Sequence, residues 1–232
     1  MIDPKQLLDQ FLGAGAGSAT GQVTDKLTQG GLASFGGGAV AGGLLGLLVG
    51  SKKMRKLAGG AVGYGGAAVL GALAYRAYQN WQQGRDPATT AQGPAAAAPV
   101  ESRFLPAAPA ADGRPFELSV LRAMIAAAKA DGHIDADEQR KIFAEVERRG
   151  LDAEAKAFVF DSMAKPIDLA DIAGAAQTQE QAAELYLAAG LVIDPDEPAE
   201  RAYLAALASR LNLPAGLVAH LDRQIDAASS PA

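Results

Sequence analysis

The chain has no cysteine, two histidines and one tryptophan among its 232 residues. The absence of cysteine excludes disulfides, thiolate metal sites and cysteine nucleophiles. A histidine ligand set, a paired nucleophile and base, and a phosphate-cradling glycine loop are also missing, which makes a metal-assisted hydrolase the least favoured alternative. The sequence therefore predicts a protein that binds, not an enzyme.

Charge is missing from two long stretches, residues 27–51 and 57–75, which are separated by the basic cluster at residues 52–56. About 20 residues at ~1.5 Å of helical rise are needed to cross ~30 Å of hydrocarbon, and both stretches approach or exceed that length. A signal-peptide layout is absent from the N-terminus, so we expect an uncleaved anchor. The pattern predicts a transmembrane hairpin over residues 31–82.

Small residues recur at every fourth position of both stretches, and the two ladders are Gly38, Gly42, Gly46 and Gly50, then Gly59, Gly63, Ala67 and Gly71. In lipid, such stripes let helix backbones pack closely. The ladders predict helix packing within a glycine zipper and self-association. The alternative is a flexible Gly/Ala-rich region, against which the interspersed leucines and valines argue. The rings of Tyr75, Tyr78 and Trp81 follow at once, and we expect them at the lipid headgroups.

The glycine content and the net charge differ between the two halves of the chain. Of the 27 glycines, 19 precede residue 72; residues 1–111 carry nine basic and five acidic side chains (+4), and residues 112–232 carry 12 and 21 (−9), which sum to −5. The acidic half argues against nucleic acid and suits cations or basic proteins. We expect four parts, namely an N-terminal amphipathic segment (1–30), the hairpin (31–82), an Ala/Pro-rich linker (83–115) and a helical domain (116–228).

Strong helix formers and three- to four-residue apolar spacing predict that the last part is all helix, in six or seven short segments. Pro166 should end one helix, a short helix should cover Asp168–Ala173, and Thr178 should cap the next. Within the proline-rich linker, Phe104 is an apolar exception that we expect to dock on a neighbour. Residues 1–12 should form a short helix, with Leu7, Leu8, Phe11 and Leu12 on one side.

An acidic motif, Ala-Asp-Gly-His-Ile-Asp-Ala-Asp-Glu, occupies residues 130–138. Aligning Gly132 with the sixth position of an EF-hand loop places Asp131 fifth and Glu138 twelfth. The third position then falls on Lys129, which no calcium loop uses as a ligand. The motif is therefore not an EF-hand.

The same residues, with the later segment 194–208 (DPDEPAERAYLAALA), resemble the TerB-like (tellurite-resistance) helical domains. With the glycine-rich segment and linker ahead of it, the chain resembles the YebE-like inner-membrane protein family, whose function is unknown. The resemblance implies that Asp131, Glu138 and Glu200 face one another and hold a divalent cation, and hard oxygen ligands suit Ca²⁺, Mg²⁺ or Mn²⁺.

Helix capping is the competing interpretation of these acids. Asp135 with Glu138, and Asp194 with Glu197, have capping-box spacing, and we expect Asp135 and one of Asp194 or Asp196 to cap a helix. Pro198 would suit a helix that begins one to three residues after the second box would start it. Capping does not account for Asp131, so both interpretations stay open. His133 is expected in an exposed turn, and His220 at the surface or half-buried.

The sequence thus predicts a non-enzymatic, membrane-anchored binding or scaffold protein that meets lipid, a cation or a protein partner. The alternative is a hairpin that acts directly on membrane organisation. The basic cluster at residues 52–56 should stay cytoplasmic, which would place the helical domain in the periplasm. Resemblance to TerB-like domains favours the cytoplasm instead.

Overall fold

The structure is a computed structural model, and it describes residues 3–12, 66–87, 104, 109–130, 153–193 and 197–229. Every regular element within these residues is a helix, which confirms the all-α fold class. The helices are α1 (Pro4–Leu12), α2 (Gly66–Gln82), α3 (Phe116–Ala128), α4 (Ala153–Ala164), α5 (Leu169–Gly174), α6 (Gln179–Val192), α7 (Pro198–Arg210) and α8 (Ala215–Ser229).

Helix α6 is the centre of the fold, and its residues from Glu180 to Val192 are all buried. It packs against α2, α3, α7 and α8. A helix that is covered on all sides is mostly small and apolar, as α6 is from Leu185 to Val192, whereas its first turns bury polar side chains as well. Gly190 allows the closest approach, because a Cβ there would lie 2.2 Å from Cδ1 of Ile225 on α8.

Local sequence signals set several of the helix ends. Helix α4 stops two residues before Pro166, and Asp168 caps α5 by accepting from the N–H groups of Ala170 and Asp171 at 2.8 and 3.3 Å. Thr178 Oγ1 accepts from the N–H of Gln181 at 3.2 Å, as predicted. These caps satisfy N–H groups that a helix start leaves without intrahelical partners.

The predicted capping box at Asp194 and Glu197 is wrong. Glu197 is itself the N-cap residue of α7, its side chain makes no capping hydrogen bond, and Pro198 takes the first helical position. Proline suits that position because its fixed φ is helical and the N–H it lacks would have no partner there. The other proposed box, at Asp135 and Glu138, lies outside the described residues.

Helix α2 belongs to the helical domain and packs against α1, α6 and α8. Its buried apolar side chains are Leu70, Leu73, Ala74 and Ala77. This corrects the predicted second membrane segment, 57–75, since residues 66–75 lie in α2. Only residues 57–65 remain outside it, and at ~1.5 Å per residue they extend about 13 Å as a helix, well short of ~30 Å.

Among the described residues, no helix has both the length and the apolar character needed to cross a membrane. The first uncharged stretch, 27–51, lies outside them. Of the two glycine ladders, only Ala67 and Gly71 fall within a described helix, and Gly71 is buried.

The aromatic residues after the glycine ladders pack against protein, which corrects their assignment to lipid headgroups. Phe104 is 2% exposed and contacts Tyr75 and Tyr78, with ring centroids 5.4 and 5.7 Å apart. Trp81 contacts the start of α8, where a Cβ on Gly216 would lie 3.1 Å from its Nε1. Edge-to-face ring pairs add stability beyond the area they bury.

Helix α1 also packs on this domain, against α2 and α3. Leu7, Leu8 and Phe11 are buried, in agreement with the predicted apolar side of this helix. The end of the predicted linker is held as well, because the carbonyl of Pro109 accepts from the side-chain amides of Gln177 and Gln181 at 2.8 and 3.1 Å.

Candidate functional site

Glu200 is the one predicted cation ligand that the structure describes. It lies in the first turn of α7 and is buried, with 9% of its surface exposed. Buried carboxylates need a charged or hydrogen-bonding partner, and Glu200 has an interaction of this kind. Its position, on a helix that contacts α3, α5 and α6, places a carboxyl group inside the domain.

Tyr203 lies one helical turn after Glu200 and shares its inward side. The buried residues of α7 are Glu200, Tyr203 and Leu207, whose spacing of three and four defines one helix face. The Tyr203 hydroxyl is buried and has no hydrogen-bond partner within the described part of the chain. Burial raises the pKa of Tyr203, so the hydroxyl keeps its hydrogen, and the lone pairs of its oxygen are the part of the group that a cation can use.

Lys129, which falls on the third position of the calcium-loop alignment, has a structural role. It follows α3 directly, and its Nζ donates to the main-chain oxygens of Met163 and Lys165 at 2.6 Å each. These carbonyls end α4, where a cation compensates the negative end of the helix. Burial lowers the pKa of Lys129. The lysine therefore joins α3 to α4 and does not occupy a cation site.

The other two predicted ligands, Asp131 and Glu138, lie outside the described residues, as does His133. Convergence of Asp131, Glu138 and Glu200 therefore stays a prediction. Within the described ranges, no group of three or more histidine or acidic side chains is placed to hold a metal ion.

A small open cleft lies between α3, α4 and α5. Its polar lining includes Arg122, Lys129, Lys165, Asp168 and Asp171, and its volume is about 60 Å³. Small-molecule sites usually occupy ~300–1,000 Å³, so this cleft is too small for a typical organic ligand. Arg122 is already placed over the ring of Phe158, 5.5 Å from its centroid.

Sequence reasoning missed a set of polar side chains buried around α6 and α8. Their exposed fractions are at most 2%, and they are Gln181, Glu184, His220 and Gln224. His220 was expected at the surface or half-buried, and the structure corrects this. The signal in the sequence was the four-residue spacing of His220 and Gln224 on the apolar side of α8.

The family model described as "Protein of unknown function (DUF533)" matches residues 34–225. The chain belongs to the DUF533 family. It is also similar to a protein of Yersinia enterocolitica described as "Uncharacterized protein in ampR 5'region", with 35% identity over 95 residues, covering 41% of this chain and 68% of that protein. No solved structure matches the chain.

The DUF533 match begins inside the first uncharged stretch, just before the first glycine ladder, and ends on α8, so it includes both the glycine-rich segment and the acidic helical domain. Helix α2, Lys129, Glu200 and Tyr203 all lie within it. In this DUF533 protein the two parts also overlap, because α2 contains the last two positions of the second ladder, Ala67 and Gly71, and supplies residues to the domain core.

Proposed function

We propose that this DUF533 protein is a non-enzymatic binding protein whose acidic, TerB-like helical domain holds a divalent cation. The main support is the pair formed by Glu200 and Tyr203, a buried carboxyl group beside a buried hydroxyl without a partner in the described residues. A buried polar group without a hydrogen bond costs about 1–3 kcal/mol, so a ligand that uses it gains binding energy.

Asp131 and Glu138 complete the proposed ligand set. Asp131 comes two residues after Lys129, whose bonds to the end of α4 fix the end of α3. Helix α3 also contacts α7, which carries Glu200. Carboxylate oxygens suit Ca²⁺, Mg²⁺ or Mn²⁺, and the repulsion among three clustered acids favours a cation.

Thermal unfolding of the full chain tests this function. At a hundredfold excess over Kd, a bound cation stabilises the native state by about 2.7 kcal/mol, so Ca²⁺, Mg²⁺ or Mn²⁺ should raise Tm relative to chelator. Glu200→Gln should abolish the gain. Glu197→Gln is the matched control, because Glu197 is exposed and makes no capping bond. Equal melting of the unsubstituted chain with and without each cation would show that the proposal is wrong.

A membrane role is the second candidate, and the placement of α1 and α2 on one domain limits its form. Residues 13–65 connect these helices, so this connection crosses a membrane an even number of times or not at all. Residues 27–51 are its one uncharged stretch of spanning length, and two crossings need ~60 Å, or about 40 helical residues. We therefore propose that this stretch associates with one face of the bilayer and returns, without spanning it.

The basic cluster at residues 52–56 supports the same arrangement, since each lysine or arginine near an anionic lipid surface contributes about 1 kcal/mol. Residues 57–65 are too short to cross, so the cluster and the domain share one side, which favours the cytoplasmic alternative. Because the chain lacks cysteine, Ser51→Cys and Asp112→Cys each create a single labelling site. In sealed inner-membrane vesicles, an impermeant maleimide should label both from the same side. Labelling from opposite sides would refute the non-spanning proposal.

A further inference from the structure

Helix α2 runs antiparallel to α6 and α8. The Tyr78 hydroxyl, near the end of α2, donates to Oε1 of Gln179 at the start of α6, at 3.4 Å. Trp81, three residues later, lies against Gly216 at the start of α8. Because α2 packs against both helices, the C-terminal end of α2 meets the N-terminal ends of α6 and α8, and the rest of α2 extends in the opposite direction along them.

Helix α7 connects α6 to α8 and runs back between their ends. It begins five residues after α6 ends and stops four residues before α8 begins. Connections this short hold each end of α7 close to its neighbour, and α7 itself is ~18 Å long. The first turn of α7 therefore lies beside the last turn of α6, and its last turn lies beside the start of α8.

These directions bring four helix termini to one end of the domain, which we name the Gly66 end. Tyr78 is 12 residues after Gly66, or ~18 Å along α2, and Val192 is 13 residues after Gln179, or ~20 Å along α6. The first turn of α2 is thus level with the last turn of α6. The Gly66 end consists of these two turns, the last turn of α8 and the first turn of α7, which carries Glu200.

We propose that the Gly66 end is the surface of the domain that faces the bilayer, with phospholipid headgroups as its partner. This inference rests on the membrane role proposed above, in which residues 27–51 and the basic cluster at residues 52–56 meet one face of the bilayer. It adds the side of the domain that this arrangement turns toward the lipid. It also places the cation proposed for Glu200 on the lipid side of the domain.

The reach of the chain decides the orientation. Residues 57–65 connect the basic cluster to α2, and these nine residues span ~13 Å as a helix and ~30 Å when fully extended. The opposite end of α2, at Gln82, is ~24 Å from Gly66. An inverted domain would hold Gly66 at least that far from the headgroups, which only a nearly extended connection could reach. The Gly66 end meets the headgroups with a connection of any conformation.

Because the chain lacks cysteine, single fluorescent labels on the full chain can test the orientation. Ala199 and Ser209 are a matched pair, since both are small, exposed residues of α7 and lie ten residues, or ~15 Å, apart. A label at Ala199→Cys is at the Gly66 end, and one at Ser209→Cys is near the opposite end. On phosphatidylglycerol vesicles with nitroxide-labelled headgroups, the label at 199 should lose most of its fluorescence and the label at 209 should lose little.

Added charge at the same two positions gives a second readout, the affinity for phosphatidylglycerol vesicles measured by flotation. Ala199→Lys should raise this affinity about fivefold, the gain from one lysine near an anionic surface. Ser209→Lys adds the same charge more than a Debye length farther away and should bind like the unsubstituted chain. Circular dichroism should be the same for all four variants, because both positions are exposed.

Flotation of the unsubstituted chain separates this proposal from the membrane role on which it rests. If the unsubstituted chain does not float with the vesicles, the membrane role is wrong and the orientation falls with it. If it floats, but the label at 209 is quenched as strongly as the label at 199, the membrane role stands and the orientation is overturned. An equal gain in affinity from the two lysine variants would overturn the orientation in the same way.

Discussion

The Tyr186 hydroxyl donates a hydrogen bond of 2.7 Å to Oδ1 of Asp222, which joins the central helix α6 to α8. Burial raises the pKa of Asp222, the bond from Tyr186 lowers it, and the nearby Asp226 raises it further. Burial, together with the charge of Asp222, raises the pKa of Tyr186, so the tyrosine remains the donor. The half-buried carboxyl group of Asp222 thus depends on this bond.

Tyr186→Phe should lower the free energy of unfolding by about 1–2 kcal/mol at pH 7, because Asp222 then loses its donor. Asp222→Asn should be tolerated or stabilising, since it keeps an acceptor oxygen and removes the charge. Urea unfolding of both single variants and the double variant measures the coupling. A Tyr186→Phe effect that is the same in the Asp222→Asn background would contradict this account.

Because of Glu117, we expect the stability of the contact between α1 and α3 to depend on pH. Burial raises its pKa most, Asp3 and Asp9 of the N-terminal segment raise it, and its own backbone N–H and Lys5 lower it. A carboxyl group whose pKa is raised on folding contributes most stability below its unfolded pKa of ~4.3, and that contribution is lost as pH rises through the folded pKa.

The variant Glu117→Gln should therefore be more stable than the unsubstituted chain at pH 7, and the difference should shrink toward pH 4. Chemical denaturation midpoints at several pH values provide the measurement. Lys5→Gln should have the opposite effect and steepen the loss of stability with pH. Parallel pH profiles for all three proteins would rule out this role of Glu117.

Gly190→Ala should destabilise the protein by about 1–3 kcal/mol, because the new methyl group would overlap Cδ1 of the buried Ile225. Ile225→Val removes that Cδ1 atom and should recover part of the loss when the two changes are combined. Thermal melts of the single and double variants provide the test. If the double variant loses as much stability as the two single variants together, the new methyl group does not clash with Cδ1 of Ile225.

Tyr203→Phe should raise the stability of the cation-free protein, by up to about 1–3 kcal/mol, because it deletes a buried hydroxyl that has no partner in the described chain. Leu207→Ala on the same face is the control for packing and should destabilise by about 2–5 kcal/mol. Melting in the presence of chelator measures both. A loss of stability in Tyr203→Phe would reveal a structural hydrogen bond.

The helices between residues 153 and 229 follow from local signals in the sequence. The short polar side chains of Asp168 and Thr178 cap a helix independently of its tertiary contacts. Pro166 likewise ends a helix independently of its environment. The sequence could therefore predict α4 to α8 with their approximate ends. The capping box predicted at Asp194 and Glu197 was wrong because Pro198 starts α7. Proline suits the first helical position by its backbone alone, so no side-chain cap is needed.

The position of α2 did not follow from the sequence, because a segment of alanine, glycine and leucine suits both lipid and the interior of a protein. Tyr75 and Trp81 are equally ambiguous, since a ring with one polar atom fits a headgroup layer or a domain surface. The contacts that decide between them are with Phe104 for Tyr75 and with the start of α8 for Trp81, both far along the chain. Of the proposed cation ligands, the sequence placed Glu200 on the correct helix but gave no sign of the Tyr203 hydroxyl, one turn later, that has no partner among the described residues.

The docking of α1 has a consequence for how the chain responds to cleavage. Residues 13–65 join two helices that are packed on the same domain, so we expect the N-terminal fragment left by a single cut within them to stay attached without a covalent bond. Full burial of a leucine or phenylalanine side chain contributes about 1.5–3 kcal/mol, and Leu7, Leu8 and Phe11 supply three such groups. A synthetic peptide of residues 1–12 would then complement a chain that begins at residue 66.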